Sequence, residues 1–206
     1  MLGDWFGGAL AVACALLFSV WVVASLTQPD PTPVSIPGLN TTAVPGDVVS
    51  LLVRNSLVLA LHATACVAGF IAGSSLPLSA ERRSGLSRWI HERARPVAIG
   101  WVVLVTCFSL LTQAYALGLT GAQLANQLQI SPGVLVLTVL PHAVPELVVL
   151  FLPLAAWTIA SRRDEWSDLL SATFVTVAIA VPVLVVAATW ETYVWPRILL
   201  AVSPLG

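Results

Sequence analysis

A chain of 206 residues that is 58% hydrophobic and only 9% charged, with a mean hydropathy of +0.92, lies outside the soluble globular range. Within these residues a membrane bundle leaves no stretch long enough for a soluble catalytic domain. The net charge of −1 argues against nucleic acid as the partner.

The composition predicts an all-α, polytopic transmembrane bundle of about five spans in a single domain covering residues 1–206. The first span is expected over 5–26, which carries no charge and lacks the basic flank and cleavage site of a secretory leader, so it reads as retained. Residues 27–47 follow, with Pro29, Pro31, Pro33, Pro37 and Pro45. Proline at this density forbids regular helix and predicts an extended outer loop.

The second span, 48–76, contains Arg54, Asn55 and His62. Gly69 and Gly73 lie one turn apart and give this helix a face that another helix can approach closely. His62 reads as a satisfied core histidine. Residues 79–96 hold Arg82, Arg83, Arg88, Arg93 and Arg95, a basic surface that the positive-inside rule makes cytoplasmic. Leu86, Trp89 and Ile90 have helical spacing between the arginines, so an interfacial helix and a solvated loop both stay open.

The third span is expected over 97–119, followed by a neutral connection bearing Gln123, Asn126, Gln127 and Gln129. Ser131 and Pro132 then read as the N-cap and first position of a fourth span, 132–161. That span contains Pro141-His142-Ala143-Val144-Pro145-Glu146. His142 and Glu146 share a helix face, and Pro141, Pro145 and Pro153 predict a kink or break. The span ends at Arg162 and Arg163, a second cytoplasmic cluster, and the fifth, 168–195, carries Glu191. Both arginine clusters are satisfied with the N-terminus inside and the C-terminus outside.

A charged side chain at bilayer depth costs ~2.5–3.5 kcal/mol on insertion scales and therefore needs a partner or a task. Counted from the inner end of its helix, Glu146 lies ~15 residues or ~22 Å inward, at the level expected for Glu191 and Arg54. An outer polar cluster of Arg54, Asn55, His142, Glu146 and Glu191 is the expectation, with Arg54 as counter-charge and Asn55 and His142 as hydrogen-bonding neighbours. No catalytic set accompanies it. A second zinc-binding histidine, a glycine-flanked nucleophile and a phosphate-binding glycine loop are all missing, so no enzyme, metal or cofactor is expected. Cys14, Cys66 and Cys107 lie in apolar segments and read as free thiols.

The run from Pro141 to Glu146 resembles the proline-histidine-glycine-x-x-glutamate signature of the stage II sporulation protein M family, with Ala143 in place of the glycine and Pro145 as an additional proline. Arg54-Asn55-Ser56 and Trp190-Glu191-Thr192-Tyr193 with Pro196 are similar to its second and closing spans, so the likeness extends from Val48 to Arg197. The resemblance implies a bacterial inner-membrane protein; in spore formers the namesake assembles with peptidoglycan-degrading enzymes during engulfment. Two functions are then in play. One is a non-enzymatic subunit that anchors or organises other membrane or envelope proteins, or copies of itself, and the other is a transport component whose polar cluster lines a path.

Overall fold

The computed structural model describes residues 2–75 and 84–205, and for 75, 87–95 and 98 the backbone alone. The protein is an all-α bundle: α1 Leu2–Leu26, α2 Pro45–Phe70 with a π-helical turn Ile71–Ser75, α3 Gly85–Gln127, α4 Pro132–Arg163, α5 Leu169–Tyr193 after a short turn Trp166–Asp168, and α6 Trp195–Val202. Five of these helical segments are long and apolar enough to cross a membrane.

α4 is the centre, packed against α1, α5 and α2, whereas α3 rests mainly on α1. All residues from 146 to 157 are buried, as required of a helix that is apolar all round. Its start follows the expected cap, with Ser131 Oγ accepting from the Val134 N–H at 3.3 Å and Pro132 in the first turn. Asp164, in the left-handed region at φ 60°, closes the other end.

Of the expected kink or break, the break is not made. Pro141, Pro145 and Pro153 all lie inside one continuous helix of 32 residues. Each proline deletes one backbone donor, but tight packing and side chains from a neighbouring helix can support the carbonyls around it. His62 Nδ1 lies 3.2 Å from the Leu150 carbonyl, and the Cys66 thiol donates to the Pro153 carbonyl at 3.1 Å. A carbonyl only accepts, so Nδ1 carries the hydrogen.

α3 is longer than the third span expected from sequence. It is helical from Gly85, through part of the anticipated basic loop, and it continues past 119 to Gln127. Arg82 and Arg83 lie outside the described residues, and Arg88, Arg93 and Arg95 outside the described side chains. At the far end the amide-bearing stretch has no proline until Pro132, and Ala122, Leu124 and Ala125 give it an apolar face to bury. Leu124, Ala125 and Leu128 form a second small core with Leu135, Trp195 and Leu199. That core explains α6, an amphipathic helix absent from the sequence-based expectation, which folds back over it. Ser203 Oγ fixes its end by donating to the Leu128 carbonyl at 2.8 Å.

The proline-rich loop is held over the same end. Ile36 and Leu39 pack on the second core, and the Val34 N–H donates to Gln127 Oε1 at 2.9 Å. Gly38, at φ +81°, sits so close to Pro196 and the Thr192 carbonyl that a side chain there would be both strained and crowded. At the opposite end the small-residue face of α2 does what its spacing predicts. A Cβ at Gly69 would come within 2.8 Å of the Trp157 ring, and one at Gly73 would run into Trp166.

A candidate polar site inside the bundle

The α2 face that meets α4 carries buried Asn55, Leu59, His62 and Cys66, a spacing that keeps all four on one stripe. The facing stripe of α4 carries Thr138, His142 and Glu146, again one turn apart and all buried. Where the stripes meet, Asn55 Nδ2 donates to Glu146 Oε1 at 2.8 Å. This bond joins residues 91 positions apart in the chain, and its donor is one of the two hydrogen-bonding neighbours expected beside the counter-charge Arg54. Arg54 stays on the exposed side of α2. It acts on both Glu146 and Glu191 through its field, without a hydrogen bond or close ion pair to either among the described residues.

Glu191, half-buried near the end of α5, lies within electrostatic reach of Glu146. Arg54, Asn55, Glu146 and Glu191 are thus brought together. His142 is on the same face of α4 but forms no hydrogen bond to Glu146. Its ring lies 5.6 Å from that of Trp195, tilted by 55°, and its Nδ1 is buried with no partner among the described residues. Glu146 Oε2 is likewise buried without one.

Trp195 and Thr138 were not anticipated. The indole N–H of Trp195 donates to Thr138 Oγ1 at 3.1 Å, wedging the ring beside His142 and tying α6 to α4. The available signal was the four-residue step from Thr138 to His142 to Glu146, which extends the polar face by one turn. His62 is a core histidine, 1% exposed and edge-on to Phe151 at 5.2 Å, but only half satisfied: Nδ1 meets the Leu150 carbonyl while Nε2 is buried with no partner among the described residues.

A lateral groove of about 280 Å³ runs beside the site, between Pro141, His142 and Pro145 of α4 and Pro182, Val186 and Trp190 of α5. A smaller cleft of about 170 Å³ separates α2 from α3 around Leu61, Ala68 and Trp101. Neither is lined by Glu146 or Glu191. Among the described residues no three His, Cys, Asp or Glu side chains gather closely enough to hold a metal ion.

Five long apolar helices around a buried polar contact define a multi-pass helical membrane protein. The family model for stage II sporulation protein M matches residues 94–196, and the chain belongs to that family. The matched stretch contains His142, Glu146 and Glu191 but begins after Arg54 and Asn55, so the α2 side of the site lies outside it. No curated protein and no solved structure matches the chain.

Proposed function

We propose that the protein is a non-enzymatic membrane subunit that anchors or organises a complex in the bacterial inner membrane, with cell-envelope or peptidoglycan-remodelling enzymes as its partners. The observation that carries this reading is the unbroken burial of residues 146–157 in α4. Below Glu146 the helix is sealed on every side, so the polar cluster is a closed end rather than the mouth of a conduit. A buried hydrogen-bonded polar contact in such a bundle fixes which helix faces meet. That is the property an organiser needs.

Sidedness follows from the arginines. Arg163 forms an ion pair with Asp4 at 3.0 Å, so the start of α1 and the end of α4 lie at one end of the bundle. With Arg162 and Arg163 inside, the N-terminus is inside and the polar site faces the outer leaflet. The second reading, a transport component, draws on Glu146 Oε2, a buried acceptor without a partner.

Mild-detergent purification of the tagged chain from its own membrane, with mass spectrometry of what accompanies it, separates the two. The organiser reading expects an envelope protein in fixed ratio, lost when Asn55 is replaced by Leu. A chain that purifies alone and conducts protons or solute in proteoliposomes overturns it.

A further inference from the structure

The charges of the site do not balance. Among the described residues the ionic groups acting on Glu146 are Glu191 and Arg54, and the one acting on Glu191 is Arg54. Two carboxylates against one guanidinium leave one negative charge in a region of low dielectric, a costly arrangement unless something neutralises it. The neighbouring elements do not supply it. α1 has Asp4 at the other end, paired with Arg163. α3 has no Asp, Glu, Lys or Arg between 96 and 127, and Arg197 of α6 is not among the groups acting on either acid. On α2, Asp47 lies in the first turn, where it accepts from the Val44 N–H, and on α4 Arg162 and Arg163 lie in the last turn, at the other end; the remaining groups are His142, Asn55 and, deeper, His62, whose Nδ1 is engaged with Leu150.

The positions of the unused atoms say where a positive group fits. Asn55 occupies Glu146 Oε1, while Oε2 of this residue, 9% exposed, has no partner among the described residues. One turn away on the same face, His142 Nδ1 has none either. Divalent cations demand six or more oxygen ligands or a fixed cage of several side chains, and no such group of three is present among the described residues. We propose that the cluster binds one exchangeable monovalent cation, a proton or an alkali ion, at Glu146 Oε2, with Glu191 as the second anionic group. Glu191, half-buried where Glu146 is fully buried, is the side of access. The bound cation completes the neutral set of two acids, Arg54 and itself, and so stabilises the junction of α2, α4 and α5. The inference rests on charge balance inside one chain and stands or falls separately from the organising role.

The test uses the full-length protein in lipid nanodiscs. Its thermal unfolding midpoint is measured with sodium, potassium or a bulky organic cation as the salt at fixed ionic strength, and across a pH series in one salt. A ligand bound to the folded state raises the midpoint with its concentration. An alkali ion therefore predicts a lower midpoint in the bulky cation; a proton predicts a midpoint that falls as pH rises, together with a carboxylic C=O infrared band. In either case E146Q removes the dependence. E191Q, which deletes the surplus charge while leaving the Asn55 contact, removes it too and serves if E146Q does not fold. R54Q steepens it. A wild-type midpoint indifferent to both cation and pH, or a dependence that survives in E191Q, overturns the proposal.

Discussion

The two ends of α4 are held by different means. From Glu146 towards Arg163 the helix is gripped by shape, with Trp157 and Trp166 filling the space left by Gly69 and Gly73 and with Phe151 fully buried. From Glu146 back towards Pro132 it is held by a few hydrogen bonds and bordered by a groove. Close packing has no slack, and its loss is felt as lost contacts and voids. A sparse polar contact is directional and can respond to what binds beside it. The Arg163 half of α4 is therefore held by packing and the Pro132 half by a few directional contacts, and the proposed organising role and cation site both draw on the latter.

The contrast is broken most severely from the packed side. Phe151→Ala is expected to destabilise the bundle by ~3–5 kcal/mol, since the side chain is wholly enclosed and the site cannot collapse freely. Unfolding in mixed detergent micelles measures this. Gly69→Leu, which forces a side chain into the Trp157 ring, should cost ~1–3 kcal/mol by the same assay, with the α2–α4 cross-link yield falling alongside.

The polar end is sharpened by a double-mutant cycle. Asn55→Leu leaves Glu146 Oε1 without its donor and should cost ~1.5–3 kcal/mol, much of it recovered in the combination with Glu146→Leu. The corresponding cycle on Arg54 and Glu146 should give a smaller coupling that weakens with salt, because the guanidinium acts from an exposed position without direct contact. Equal couplings would mean that Arg54, rather than Asn55, is the main partner. Thr138→Val, which removes the acceptor for the Trp195 indole, should cost ~1 kcal/mol and loosen α6, visible as faster hydrogen exchange over 195–202. Asp4→Asn at the exposed pair with Arg163 marks the low end, ~0.2–1 kcal/mol and screened by salt.

Several features were legible in the chain because they depend on local rules. Ser131 and Pro132 announce a helix start whatever surrounds them, and the step from Gly69 to Gly73 announces a close approach without naming the ring that makes it. The end of α3 was not legible. Gln123, Asn126 and Gln127 read as a connection until Leu124, Ala125 and Leu128 are seen to have Trp195 and Leu199 to pack against. Of the kink or break that the prolines of α4 predicted, the break is not made, since a proline's effect on its helix is local and the packing of the neighbouring helices is not.

The sequence by itself determined that the chain crosses the membrane several times and that an acid, a histidine and an asparagine lie at depth, because hydropathy and helical spacing are properties of each segment alone. Which of them touch was decided only by tertiary structure. Asn55 rather than Arg54 meets Glu146 because the rotation of α2 about its own axis is set by the burial of Leu59, His62 and Cys66 against α4, and adjacent residues on a helix point ~100° apart.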